Sequence, residues 1–467
     1  MQEKPVEGMK KKRRKPYLLL IILIVVICYV AVSIYFLGHF QPNSKVGGAS
    51  VSGKSPAAAE EMIEDKVDGY TLTLKERKAH DETISGDEIG LRADAGSKLQ
   101  DALSEQHAFA WPVTMWMKKN YDGNLVSYDP AQLRAALAQL KVTDRRNMKP
   151  SRNASVSMKR KDGEYYIIPE YYGTKLDKKQ FRKAITGAID SLSGSVDLAE
   201  EGAYIDPRFL KDSQEAEDAV KDMGKMTSIK ITYNMKGIDP VKVSRQEIRK
   251  WLRLNRDMKV VVSMKQVKKF TRKFAEKYNT AYTTRKFKTA SGQKITTAGG
   301  YYGWMLDQSG EAKKLAKEVK AGEDVRRSPV WLQTAVSHKM PDYGHEYVEV
   351  SIAEQTVWFI KNGRKKFVTS CVSGNSLTGH GTIPGVYQIE YKQRGATLSG
   401  QGYSSPVDYW MPFNSDQGLH DATWRSAFGG SIYLGDGSHG CVNLPYYAAQ
   451  ELYSMVHKGT PVIVHSE

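Results

Sequence analysis

A chain of 467 residues is long enough for roughly three domains. Its hydrophobic content of 40%, with 8 tryptophans and 26 tyrosines, provides for packed cores and excludes a mostly disordered chain. The formal charge of +17 points to anionic surroundings, either nucleic acid or a polyanionic wall, and topology has to choose between them.

Residues 1–16 carry seven basic side chains, Lys4, Lys10, Lys11, Lys12, Arg13, Arg14 and Lys15, against Glu3 and Glu7. That is a net of +5, and +12 remains for the rest of the chain. Residues 17–37, YLLLIILIVVICYVAVSIYFL, are uncharged and apolar, close to the ~20 residues a helix needs to cross hydrocarbon. The basic cluster on the N-terminal side predicts a single-pass cell-membrane protein with a cytoplasmic tail and everything after about residue 38 outside. A cleaved signal peptide would have a shorter apolar core and a small-x-small site. An exterior location leaves the anionic cell wall, and no nucleic acid, as the expected partner of the remaining basic charge. Cys28 lies in the apolar segment, so only Cys371 and Cys441 are external. Two cysteines are not a disulfide framework; a single bridge between them stays open and would silence either thiol.

Residues 38–56, with Gly47-Gly48, Ser52-Gly53 and Ser55-Pro56, read as a flexible stalk. Beyond it, Tyr70–Asp94 overlays Thr283–Asp307 without gaps, with Gly86, Gly90 and Asp94 matching Gly299, Gly303 and Asp307. Each copy is an alternating stretch with a polar turn followed by a helical pattern, Ser97–Gln106 or Glu311–Lys320. This reads as a duplicated hairpin-plus-helix module. Between the copies, Pro130–Leu140 and Asp177–Leu192 have helical periodicity, the latter opened by aspartate. Glu164–Pro169, Val196–Leu198 and Ile229–Tyr233 read as strands, and Ser244–Leu252 as a short helix opened by a capping-box serine. The class is α+β, with modules expected at 57–225 and 226–330 and a polar linker from Arg326 to Gly344.

From His345 the texture becomes mostly β, and a final domain is expected over 345–467. Tyr347–Ile352, Thr356–Ile360, Lys366–Val372, Gly385–Tyr391, Ser431–Leu434 and Thr460–His465 read as strands, and Tyr446–His457 as its one helix. Lys361-Asn362-Gly363-Arg364 is a hairpin turn.

Within this domain lies Ser438-His439-Gly440-Cys441-Val442-Asn443, with His420-Asp421 upstream. A cysteine in a polar, glycine-rich run, within folding reach of two histidines, has the makings of a thiolate nucleophile, provided a base lowers its pKa. Acyl transfer also needs a group orienting that base and donors for the oxyanion. His439 and His420 compete as base; the N–H groups of Gly440 and Cys441 are the candidate donors.

His420, a gap of 17 residues and then the Ser438–Asn443 run resemble the active-site motif of the L,D-transpeptidases, the YkuD-like family of peptidoglycan cross-linking enzymes. Thr382-Ile383-Pro384-Gly385-Val386-Tyr387 resembles that family's turn and strand before the active site. Tyr409-Trp410-Met411-Pro412-Phe413 with Gly418-Leu419-His420-Asp421 resembles its cleft segment. Residues 57–330 more weakly resemble the paired peptidoglycan-binding modules of membrane-anchored Gram-positive members. The resemblance implies a β-sandwich catalytic domain with Cys441 as nucleophile and His420 as proton donor and acceptor. His439 would shape the pocket, and Gly440 and Cys441 would line the oxyanion hole. Asp421, through its carbonyl or carboxylate, or else Ser438, would orient His420; Trp424 and Asn443 would wall the donor site. No cofactor or metal is implied. The substrates would be stem peptides of peptidoglycan, joined 3→3 through a cysteine acyl-enzyme open to β-lactams, carbapenems especially. Capture by water instead would make an L,D-carboxypeptidase.

Three rivals remain. His380, His420, His439 and Cys441 are competent zinc ligands without tight metal spacing. Ser291-Gly292-Gln293-Lys294 fits a serine D,D-transpeptidase box, but no Lys-Thr-Gly triplet exists. A catalytically silent wall-binding anchor is the third.

Overall fold

The structure, a computed structural model, describes residues 15–78, 80–159, 163–400 and 403–467; most of the basic tail predicted over 1–16 lies outside them. The apolar run forms one helix, Lys15–Gly38, of which Tyr17–Gly38 is long and apolar enough to cross a membrane. The chain divides into two compact units, Met1–Ser155 with Ile167–Ala216, and Val156–Tyr166 with Glu217–Glu467.

The predicted stalk is not one. Phe40, Val46 and Val51 are fully buried in the core of the first unit. Ser44–Val46 and Ala49–Ser50 form a hairpin, and Ser44–Val46 also pairs in parallel with Lys119–Tyr121. Gly47 and Gly48 both have positive φ, which is what a two-residue hairpin turn demands. Those glycines therefore mark a tight turn rather than chain freedom, and the apolar residues around them supply the burial.

Duplication is present, in a register other than the predicted one. Thr71–Lys75 pairs antiparallel with Glu82–Ser85 and in parallel with Ser195–Asp197, the strand that follows the helix Lys178–Asp190. Ile231–Tyr233 likewise pairs antiparallel with Val241–Val243 and in parallel with Val325–Arg327, which follows Gln308–Ala321. A helix precedes each set, Pro56–Val67 and Gln214–Ser228. Thr71–Lys75 thus corresponds to Ile231–Tyr233. The gapless overlay had matched it to Arg285–Lys288, half of a later hairpin. Short alternating hairpins look alike in sequence, and only sheet order tells them apart. The expected boundary at 225/226 cuts through Gln214–Ser228, so the second copy begins at that helix.

Helix starts follow the local chemistry. Asp177 accepts from the N–H groups of Lys179 and Gln180, Asp129 from those of Ala131 and Gln132, and Ser244 from that of Glu247, each satisfying donors left unpaired by the first turn.

The polar stretch 326–344 is ordered as well. Trp331–Gln333 pairs with Met305–Leu306, and Asp342 and Tyr343 are buried. Asp342 receives Nε and Nη2 of Arg285 at 2.8 Å. Arg285 also donates to the carbonyls of Thr280, Thr283 and Tyr302, and both charged side chains are wholly excluded from solvent. This network joins the last hairpin of the second copy to the segment leading into the catalytic region. The seam continues with Tyr302 N–H to the Val386 carbonyl at 3.0 Å and Ala290 N–H to Glu349 at 2.6 Å.

The C-terminal region is a two-sheet β structure. One sheet runs Arg364–Ser370, Thr356–Lys361, Tyr347–Ser351, Pro461–His465, Gly385–Gln388; the other runs Gln393–Gly400, Tyr403–Asn414, Gln417–Asp421, Val442–Leu444. Val350, Phe359 and Val464 from the first pack with Met411, Leu419, Val442 and Leu444 from the second. Helix Tyr446–Met455 adds Ala448, Ala449 and Leu452 to the same core. The turn at Asn362-Gly363 has positive φ at both residues, as predicted. Ser431–Leu434 is not a strand: Ile432–Asp436 is a short helix flanked by glycines. The pairing of Gln393–Gly400 with Tyr403–Asn414 escaped the sequence reading because its first strand is polar and mostly exposed.

Replacing Arg285 by methionine leaves the Asp342 carboxylate buried without its cation. A loss of about 3–5 kcal/mol is expected, measured as the shift of the second unit's unfolding transition in urea.

Candidate active site

Gln417–Asp421 and Val442–Leu444 run in parallel, with Leu419 opposite Val442 and His420 opposite Asn443. Side chains alternate along a strand, so residues in register share a face. Leu419 and Val442 therefore turn into the core, while His420, Asn443 and, one step further back, Cys441 turn the other way. His420, Cys441 and Asn443 line one cavity of about 220 Å³, together with Trp424, Arg425, Ser438 and His439.

His420 is 3% exposed and sits between the rings of Trp410 and Trp424, at 5.8 and 6.0 Å. Its Nδ1 lies 2.8 Å from the Asp421 carbonyl oxygen. A carbonyl only accepts, so Nδ1 carries the proton and Nε2 is left with a free lone pair. Burial holds the pKa of His420 below its ordinary value, and the bond to Asp421 opposes that shift. The Asp421 carboxylate is occupied elsewhere, accepting the N–H groups of Asp408 and Tyr409 at 2.9 and 2.7 Å. Of the orienting groups considered from sequence, the backbone carbonyl is the one in contact.

Cys371 and Cys441 are both free thiols. Cys371 is fully buried in the apolar core. The Cys441 thiol donates to the Asp416 carbonyl at 3.4 Å and receives the Gly418 N–H. Burial pushes its pKa up to about 11, with the Asp416 carboxylate adding to the rise. That is the reverse of the lowered value expected from sequence: the thiol and the imidazole that line the cavity both rest neutral.

Ser438 ties the loop together instead of contacting His420. Its Oγ donates to the Cys441 carbonyl at 2.5 Å and accepts the Gly440 N–H at 3.1 Å. Gly440, at φ 122°, therefore does not present its N–H to the cavity, contrary to the expected pair of donors. Its carbonyl accepts from Thr382 Oγ1, which also accepts the Gly374 N–H, both at 2.9 Å; in this way the Thr382–Tyr387 segment braces the cysteine loop. His439 faces His380, with ring centroids 4.6 Å apart. Asn443 exchanges backbone bonds with Val372, and its buried Oδ1 has no partner among the described residues. Trp424 is half exposed at the mouth.

Sequence reasoning missed Arg425. Its side chain is 9% exposed and pairs with Asp436 at 2.8 Å, and its position next to Trp424 was the only signal available. Ser291 closes a hairpin turn through Thr289. Among the described residues no three His, Cys, Asp or Glu side chains converge as a metal site would require.

A Cβ on Gly418 would stand 2.5 Å from the Trp410 ring. Gly418→Ala is expected to displace Trp410 and loosen His420, visible as a lower melting temperature and altered tryptophan fluorescence.

Residues 345–464 match the family model "L,D-transpeptidase catalytic domain" (YkuD). Residues 82–197 and 214–326 each match "Putative peptidoglycan binding domain", which agrees with the second repeat starting at Gln214–Ser228. No curated protein matches. Among solved structures, a cysteine-to-serine mutant of Enterococcus faecium L,D-transpeptidase is 33% identical, covering 53% of this chain and 100% of that one, with a TM-score of 0.45. The Ldtfm–avibactam carbamoyl enzyme is also 33% identical, over 54% of this chain and 99% of its own, with a TM-score of 0.46. The E. faecium catalytic domain acylated by ertapenem is 40% identical, over 26% of this chain and 97% of its own, with a TM-score of 0.24. With the catalytic model matched over residues 345–464 and the peptidoglycan-binding model over 82–197 and 214–326, the chain belongs to the YkuD L,D-transpeptidases, with peptidoglycan-binding domains upstream of the catalytic domain.

Proposed function

We propose that this protein is a membrane-anchored transpeptidase that forms 3→3 cross-links in peptidoglycan, with Cys441 as nucleophile and His420 as the proton carrier. The observation that carries this reading is the shared cavity. Two adjacent parallel strands bring Cys441 and His420 to one face, and the Asp421 carbonyl holds the imidazole with Nε2 free.

Because the thiol rests protonated, its proton passes to His420 Nε2 as sulfur attacks the carbonyl of the third stem residue. The Cys441 N–H is the candidate donor to the oxyanion, the Gly440 N–H being engaged by Ser438. Collapse breaks the bond to the terminal D-alanine, whose amine takes the proton from His420, and a thioester remains. An amine of a second stem then attacks the thioester, giving its proton to His420, and the thiol is restored. Trp424 and Asn443 are proposed walls of the donor site, and His439 shapes its rim. Water in place of the amine gives the carboxypeptidase outcome.

The upstream domains are proposed to hold the anionic wall. Helix Met264–Tyr278 carries Lys265, Lys269, Lys273 and Lys277 at four-residue spacing, with Lys268 and Arg272 alongside. Like charges at that spacing destabilise a helix by about 0.2–0.5 kcal/mol per pair, and the only ion pair among these six, as described, is Arg272 with Glu276 at 3.7 Å. Next to the stripe is a groove of about 540 Å³, where Lys242 and Phe270 join it, with Lys250 paired to Glu247 at 2.8 Å. Such a surface suits a polyanion.

Incubation of the full chain with a disaccharide-tetrapeptide is expected to yield a dimer linked through third residues, identified by mass spectrometry. A tripeptide alone would favour the carboxypeptidase, and no product together with no carbapenem adduct on Cys441 would leave only an anchor. Cys441→Ala is expected to abolish adduct and dimer alike.

The pH dependence follows from the two shifts. His420 accepts a proton only when neutral, so the acylation rate should fall as pH drops through a value below histidine's ordinary 6.5. With the thiol at about 11, the rate should be flat between about pH 7 and 9. A rise centred near pH 8 would indicate a titrating thiolate instead.

Lys269→Glu with Lys273→Glu should weaken retention on walls bearing anionic polymer in a salt-dependent way, while carbapenem acylation of Cys441 stays unchanged.

A further inference from the structure

The end of the apolar helix is built into the first unit through one face. Tyr29, Ser33, Phe36 and Phe40 recur at helical spacing and are partly or fully buried, while Ile34, Tyr35 and Leu37 stand open. What covers that face is the segment after Gln106. Tyr29 Oη donates to the Phe109 carbonyl at 2.7 Å, and the Trp111 ring lies 6.3 Å from those of both Tyr29 and Phe36. Gln106 is buried and donates to the carbonyls of Phe36 and His39 at 2.8 and 2.9 Å, while accepting the Gln41 N–H at 2.8 Å.

The same segment, residues 108–117 (AFAWPVTMWM), contains no charge, and while Trp111 packs inward, four of its large side chains stand exposed. Trp116 is 80% exposed, Val113 71%, Met117 56% and Phe109 55%. Tyr29 precedes Gly38 by nine residues, about 13 Å along a helix axis. A segment touching Tyr29 therefore lies beside the C-terminal half of the span, at the depth of hydrocarbon and its boundary with the headgroups.

Backbone polar groups are costly at that depth unless paired, and here many are. Ala110 N–H reaches the His107 carbonyl, Met115 N–H that of Trp111, and Met117 N–H that of Thr114, at 2.9–3.0 Å. Thr114 Oγ1 lies 3.0 Å from the Ala110 carbonyl. Gln41 and Asn43 side chains donate to the carbonyls of His107 and Met115, both at 3.0 Å. The exposed Lys118 follows directly, where a cation and anionic headgroups would meet, while Lys119 donates to Gln41 Oε1 at 3.1 Å.

We propose that residues 108–117 are a lipid-facing wedge, seated in the leaflet on the C-terminal side of the helix, with Phe109, Val113, Trp116 and Met117 against acyl chains. The wedge would fix the orientation of the first unit on the bilayer, a constraint that a single helix on a free tether does not supply. The inference rests on the reading of the helix as a retained membrane span, and it is independent of the chemistry at Cys441.

The test uses the full chain, one copy per lipid nanodisc of phosphatidylcholine and phosphatidylglycerol brominated at shallow acyl carbons. Tryptophan emission of the wild type is compared with that of Trp116→Phe, a conservative change at an exposed position. Bromolipid is expected to quench a component of about one tryptophan in the wild type that is missing from the variant, and aqueous acrylamide should leave that component largely untouched. Quenching of the Trp116 component by acrylamide and not by bromolipid overturns the wedge. Shielding of Trp116 from acrylamide only when two copies share a bilayer would make the face a self-association surface, and also overturns it. A chain that fails to float with lipid overturns the span and the wedge together, while carbapenem adduct formation on Cys441 separately reports the catalytic reading.

Discussion

The arrangement of this protein's active site depends on the parallel pairing of Gln417–Asp421 with Val442–Leu444. Two segments separated by a long loop meet in a register that places His420 beside Asn443 and diagonal to Cys441. A slip by one residue would turn His420 into the core and Leu419 into the cavity, because strand side chains alternate. Burial of Leu419, Val442 and Leu444 opposes that slip, so the hydrophobic core sets the geometry of the candidate site. The bond from His420 Nδ1 to the Asp421 carbonyl then fixes the tautomer.

Around this pairing, polar residues serve mainly as braces. The Asp421 carboxylate holds the Asp408–Tyr409 backbone, Ser438 closes the turn over Gly440, and Thr382 joins that turn to the next segment. Residue types that suggest chemistry in a motif can therefore be doing architecture. The electrostatics carry the same lesson. Burial raises the thiol and lowers the imidazole, which favours two neutral groups over an ion pair. In the proposed reaction, proton transfer then accompanies attack rather than preceding it.

Upstream, a duplicated sheet-and-helix unit precedes the catalytic domain. The second copy is fastened to that domain by the buried Arg285–Asp342 pair and by the bonds of Tyr302 and Ala290. A buried ion pair is costly to desolvate and gains its worth from complete hydrogen bonding; Arg285 meets that condition through three carbonyls as well as the carboxylate. The segment between the domains, polar in composition, is thus structural.

The amino-acid order alone determined the apolar helix, the mostly β C-terminal domain, the turn at Asn362-Gly363 and the aspartate and serine helix caps, while resemblance to a family motif singled out His420 and Cys441. Apart from that motif, these features are local, expressed in composition, periodicity or capping chemistry within a few residues. What needed the tertiary structure was everything set by distant partners. Gly47-Gly48 read as flexible until Phe40 and Val51 were found buried beside them. The repeat could be aligned only through sheet order, and the polar 326–344 stretch became ordered because Asp342 meets Arg285. The orienting group of His420, the engaged N–H of Gly440, the part played by Arg425 and the direction of the Cys441 shift likewise depend on which atoms the fold brings together. Propensity and pattern act along the chain, whereas desolvation and hydrogen-bond satisfaction act across it.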